Sequence, residues 1–301
     1  MTSEQEDIRV PWRGGSPIPF NPSDAIDGAD WAIDRYRQIG VRQPPGNRLE
    51  ESRRFLAQFA GRQAPFDAAD EEFLHRIEEC TQTCFEHCLI ARSTGTSSGN
   101  LPPEMVRKLE ESLTGAEVAD EEIDSPGRDT QFELFMNALL VMGDVPVRIA
   151  EPDLKFLYNG QEVGLAAKRV KRLQRLRQRF TEAAKQIVRS GVRGFVAVNA
   201  DLLIRDLGSK GSAADRGARF EERLEALIRI DEDFVSHPLV MGRLVFGTTS
   251  IWHLGKDRPT LEGSRFHVYK VYAKTAEEER AGHQFFLPML DRISQRLAQR
   301  D

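Results

Sequence analysis

The sequence predicts an α/β protein whose N-terminal part is all helical. Three observations carry that reading. Apolar residues recur every three or four positions up to about residue 90. Short apolar runs alternate with helical ones from residue 145 onward. Asn159-Gly160, the strongest short hairpin signal, lies between two runs of strand character. The 301 residues are 40% hydrophobic and 30% charged, the composition of a globular chain with enough length for one large domain or two modest ones. No stretch of about 18 apolar residues is present to span a membrane. The opening MTSEQEDIRVPW has no basic region followed by an apolar one, and three cysteines make no disulfide framework, so a reducing cytoplasm is expected.

Residues 1–25 are rich in Pro and Gly and read as an extended arm, with Trp12 and Phe20 as anchors. Helical spacing follows over Ala32–Gly40, Arg48–Gly61 and Asp67–Ile90, through residues such as Phe55, Leu56, Phe59, Phe73 and Ile77. Residues 92–103 have the composition of a linker, Pro103–Leu113 of a short helix, and Glu117–Asp124 is acidic. The expected division is an arm and helical accessory domain over 1–90, a linker over 91–127 and a catalytic-type domain over 128–301.

In the last of these, Arg128–Met142 reads as an amphipathic helix and Val145–Ile149 as a strand. Asp153 opens a second strand that turns at Asn159-Gly160 into a third, with Lys168 near its end. Leu173–Arg189 carries an apolar face through Leu176, Phe180, Ala183 and Ile187, and Gly194–Asn199 is a strand apolar on both faces. Leu239–Leu254 and Phe266–Ala273 extend the sheet, and Glu277–Gln299 closes the chain as a helix.

Pro152-Asp153, the hairpin and Lys168, set in a helix, three strands, helix, strand order, resemble the signature of the PD-(D/E)xK nuclease superfamily. The resemblance covers residues 128–201 and implies a restriction-endonuclease-like αβββαβ core with a mixed sheet. It implies Asp153 as a carboxylate ligand of Mg²⁺ or Mn²⁺, the backbone carbonyl of Ala167 as a further ligand, and Lys168 as the group that stabilises charge on the reacting phosphate or orients water. Glu133 resembles the extra upstream acid of many members, and Gln186 a glutamine on the following helix. The chain departs from the pattern at Ala166, where the family places an acid two residues before the lysine. Loss of that acid predicts a very poor catalyst, either a natural remnant or a Glu→Ala or Asp→Ala change, and the intact Asp153 and Lys168 favour the second.

Each residue also has a plain explanation. A Pro-Asp pair is frequent in loops, a lysine at a strand end is usually solvated, and Glu133 suits a helix N-terminal turn. The joint spacing favours the site. Glu162 shares the face of Ala166 but lies at the hairpin end, too far along the strand to replace the missing acid.

Residues 168–179, KRVKRLQRLRQR, hold seven Lys or Arg and no acid on a chain of net charge −5. Arg169, Lys171, Arg172, Arg175 and Arg179 are therefore expected to track a phosphate backbone, without reading bases. Cys80, Cys84 and Cys88 fall on one helical stripe, where buried thiols are common. Gly208–Gly217 lacks P-loop spacing and reads as a linker. The expectation is a metal-dependent nuclease acting on DNA in preference to RNA, by analogy a bacterial defence or restriction effector. It would not engage a membrane, and would form a homo-oligomer or bind a partner protein through its N-terminal helices. The alternative is a catalytically dead member that binds nucleic acid or protein.

Overall fold

The computed structural model describes residues 13–14, 18–20, 22–59, 71–95, 101–115, 126–170, 172–199, 201, 222, 237–254, 261–273 and 275–298. Two very short strands come first, β1 (Arg13–Gly14) and β2 (Ile18–Phe20). Four helices follow: α1 (Pro22–Gln38), α2 (Arg48–Phe59), α3 (Glu71–Thr94) and α4 (Pro103–Ser112). Then come α5 (Pro126–Met142), β3 (Val147–Ala150), β4 (Asp153–Tyr158), β5 (Gln161–Arg169), α6 (Leu173–Ser190) and β6 (Gly194–Asn199). The long strands β7 (Val240–Leu254) and β8 (Leu261–Ala273) and the helix α7 (Ala276–Ala298) complete the described chain.

The protein is α/β, built on a mixed sheet of strand order β1-β8-β7-β6-β5-β4-β3, with β2 also paired to β8. Strand β6 runs parallel to β5 and β7, and the other pairs are antiparallel. Period-two alternation splits the central strands between two layers. Leu154, Phe156, Leu165, Ala167, Phe195, Ala197 and Leu244 join one continuous core with α5, α7 and the N-terminal helices. Ala166, Val196, Val198 and Val245 are buried outside that core, as are Leu176, Phe180, Ala183 and Ile187 of α6. These form the opposite layer, where burial of each large side chain contributes about 2 kcal/mol.

Local chemistry sets the elements around the motif. Asn159 (φ 49°) and Gly160 (φ +77°) take the paired left-handed conformation of a two-residue hairpin turn. Gly164 leaves room for the Pro152 ring, because a Cβ there would lie 2.8 Å from Pro152 Cδ. That close approach seats the chain just ahead of Asp153. Helix α6 ends at Gly191 in the left-handed conformation, whose N–H donates to the carbonyl of Val188.

Three expectations change. The arm is not wholly irregular: Arg13–Gly14 and Ile18–Phe20 are strands made by pairing with β8, and Pro22 starts α1 ten residues before the expected helix. Helix α3 continues through Thr94 into the expected linker. Helix α5 is buried nearly all round, not along one stripe, because it lies between α3 and α4 on one side and the sheet on the other. Trp12, the acidic stretch 117–124 and the loop 208–217 lie outside the described residues.

Candidate functional site

Asp153 stands at the first position of β4, where the ladder to β5 begins at the pair Leu154–Leu165. The next step of that antiparallel register sets Asp153 opposite Ala166, and strand alternation places both on the α6 face together with Lys168. Asp153 Oδ2 accepts a hydrogen bond from the Ala167 N–H at 2.8 Å and lies 3.4 Å from Lys168 Nζ. From α6, Gln186 Nε2 donates to the carbonyl of Pro152 and to Asp153 Oδ1, both at 3.4 Å. Helix α5 contributes Glu133, held by a 2.5 Å ion pair from Lys108.

The electrostatics are those of a carboxylate kept charged against its surroundings. Burial, reinforced by the negative charge of Glu133, pushes Asp153 up to about 6, with Lys168 and the Ala167 N–H opposing. The sequence-predicted Glu133, Asp153, Ala166, Lys168 and Gln186 are thus gathered at one corner of the sheet. Glu162 is not among them: it is exposed on the hairpin and paired with Arg148 at 2.8 Å.

The donor set fits a hard cation in part. Asp153 offers a carboxylate, and Gln186 Oε1 is buried without a hydrogen-bond partner. The Ala167 N–H points at Asp153, and in an extended strand a residue's C=O leaves by the same edge as its N–H. Ala166 offers only a methyl group, itself fully buried. Among the described residues no group of three or more His, Cys, Asp or Glu is arranged to hold a metal. A carboxylate at 166 is what a two-carboxylate Mg²⁺ site here lacks.

Comparison with known family models, curated proteins and solved structures gives no match. The chemistry of this chain therefore rests on its own residues.

The cationic run divides on the structure. Arg172, Arg175 and Arg177 are exposed at the start of α6. That turn has no acid and no side-chain cap on its N-terminal N–H groups, so the helix dipole disfavours the cations gathered there. Arg179 is half-buried, bonded to Glu182 at 3.1 Å and 4.0 Å from Asp129. Arg169 does not join the ridge. It is one residue out of phase with Lys168, so it leaves the other face of β5 and is buried. Lys171 lies outside the described residues.

Sequence reasoning missed a buried polar network around Arg169. Arg48 donates to the carbonyl of Ser112 at 2.6 Å and to Gln131 Oε1. Gln131 in turn donates to Glu86 at 2.5 Å, and Gln82 bridges Glu86 and Asp201. Arg128 lies 3.4 Å from Glu79. Burial and the neighbouring Arg169 push the Arg128 guanidinium down to about 10. Polar residues at stripe positions of α3, such as Glu79 and Glu86 seven apart, are the sequence signal for it. Beside the network His87 meets the Tyr36 hydroxyl at 3.0 Å, and burial, with Arg48 adding to it, pushes the imidazole down to about 3. Cys80 and Cys84 are buried and form no disulfide. No helix among the described residues is long and apolar enough to cross a membrane.

Proposed function

We propose that this corner is the site of a phosphodiesterase of the PD-(D/E)xK type, acting on DNA, with its chemistry switched off by Ala166. The observation that carries the reading is Asp153: a buried carboxylate, raised to about 6, beside the Lys168 ammonium and across the hairpin from the one apolar position. A carboxylate held at such an energetic disadvantage is more typical of a working site than of a fold-stabilising ion pair. The α5-β3-β4-β5-α6-β6 order supports the restriction-endonuclease-like reading.

In this reading Asp153, the Ala167 carbonyl and an acid restored at 166 hold the cation. When bound, Mg²⁺ or Mn²⁺ supplies charge neutralisation on the scissile phosphate and an acidified water. Lys168 turns from Asp153 to the phosphate oxygens, where its ammonium opposes the charge that grows in the transition state. Gln186 orients Asp153 through Oδ1 and has its Oε1 left to hold a water. Glu133 adds negative charge that draws the cation in. The exposed arginines of α6 contact the DNA backbone without reading sequence.

A second reading has its own observation. With Ala166 buried and Lys168 already against Asp153, the ion pair is complete without a metal, as in a nuclease fold kept as a binding module. One experiment separates the two. Ala166→Glu protein, folded and supplied with Mg²⁺ or Mn²⁺, is expected to cut DNA while the chain as written does not. Intact DNA and RNA after incubation with that variant would leave the binding module as the function.

A further inference from the structure

A groove of about 810 Å³ runs along α6, from Lys168 near the end of β5 to the start of β7. Its floor is apolar: Ala184 and Val188 from α6 and Val240 from β7. Its rim carries Lys168, Lys185 and Arg189, with His237 on the far bank. Lys168 and Gln186 line it as well, so it opens directly onto the corner that holds Asp153. The one acid among its lining residues, Glu182, is already bonded to Arg179.

We infer that this groove holds a single strand of DNA leading into the Asp153–Lys168 corner, so that the substrate is single-stranded or locally opened and not continuous duplex. The inference rests on the phosphodiesterase reading and names its substrate class. A cationic rim over an apolar floor matches a chain that alternates phosphates with flat bases, and His237 supplies a ring on which a base stacks. The volume is that of a small-molecule cleft, enough for a base and its sugar but too small for a double helix. The groove is separate from the arginines at the start of α6. Arg175 lies about 16 Å along the helix axis from Gln186, so duplex contacts and strand contacts fall on different residues.

The test is fluorescence anisotropy on the full chain as written, which needs no cleavage. A short fluorescein-labelled single-stranded oligonucleotide is compared with the same sequence as a blunt duplex, without added metal. Single-stranded DNA is expected to bind about tenfold tighter than duplex, the equivalent of about 1.4 kcal/mol or one stacked base. Lys185→Gln with Arg189→Gln, both on exposed positions, and separately Ala184→Trp, which fills the floor, are each expected to weaken single-strand binding about tenfold and to leave duplex binding unchanged. Unaltered circular dichroism and melting establish that the variants fold, and the exposed pair alone decides the matter if Ala184→Trp does not. Tighter duplex binding, or single-strand binding indifferent to both variants, overturns the groove while leaving the nuclease reading standing. Failure of both DNA forms to bind overturns both.

Discussion

Lys168 Nζ lies 3.4 Å from Asp153 Oδ2, while the neighbouring Ala167 N–H donates to that same oxygen at 2.8 Å. One carboxylate oxygen thus serves both a backbone donor where β4 begins and a side-chain cation. Among the described residues the other oxygen meets Gln186, at 3.4 Å. The arrangement concentrates the close contacts of Asp153 on Oδ2 and leaves Oδ1 to Gln186.

In the Ala166→Glu protein, Asp153→Ala and Lys168→Ala are each expected to lower the cleavage rate by about two orders of magnitude or more. Single-turnover cleavage of a labelled substrate under saturating Mg²⁺ measures this. Lys168→Arg keeps the charge and is expected to recover only part, since a planar guanidinium does not reproduce a compact ammonium. Turnover unaffected by loss of either residue would remove it from the site.

Asp153 also predicts a pH-dependent stability. Its folded-state value of about 6 lies above the ordinary 3.8, so the native state binds the proton more tightly than the unfolded one. The penalty is present above pH 6 and is relieved as the pH falls toward 4. Asp153→Asn should therefore raise stability by about 3 kcal/mol at pH 8 and change little at pH 4. Urea unfolding at the two pH values checks it. Equal effects at both would mean that the carboxylate is not held against its solvation.

The ridge at the start of α6 predicts a salt response. Arg172→Gln and Arg175→Gln should each flatten the log–log salt dependence of duplex binding by roughly 0.9 if each meets one phosphate. Arg179→Gln should flatten it less, since that side chain already answers Glu182 and Asp129. Slopes identical to that of the unsubstituted protein would make the run a solvated helix face.

The buried network between the helices and the sheet predicts a large loss of stability from a small change. Glu86 accepts from Gln131 at 2.5 Å and from Gln82 at 2.7 Å. Glu86→Ala removes a buried carboxylate that faces Arg48 and Arg128, and is expected to cost about 3–5 kcal/mol. The denaturation midpoint should fall with its slope preserved. A loss below about 1 kcal/mol would show that water replaces the carboxylate.

Much of the core around the site was legible in the sequence because its signals are local. Asn159-Gly160 fixes the hairpin, the run Gly194–Asn199 marks a strand covered on both faces, and the apolar stripe of α6 gives its burial. The side taken by Arg169 was misread: the expectation set it on the basic ridge, although a period of two puts it on the face opposite Lys168, where it is buried. What the sequence did not reveal depends on partners distant in the chain. Strands of two and three residues carry no periodicity, so β1 and β2 exist only through β8. The burial of α5 on both sides, and the meeting of Arg48, Arg128 and Arg169, likewise depend on layers that no local pattern specifies.

The pairing of Ile18 with Arg265 and of Phe20 with Gly263 has a consequence for how the chain is made. Ile18–Phe20 is synthesised well before β8, the strand that receives it. Until then its backbone groups bond to water, and the waiting segment is open to edge pairing with other chains. Strand β8 therefore works as a latch: clipping it should release β1 and β2 together, and newborn chains should stay protease-sensitive near residue 20 until β8 has emerged to pair.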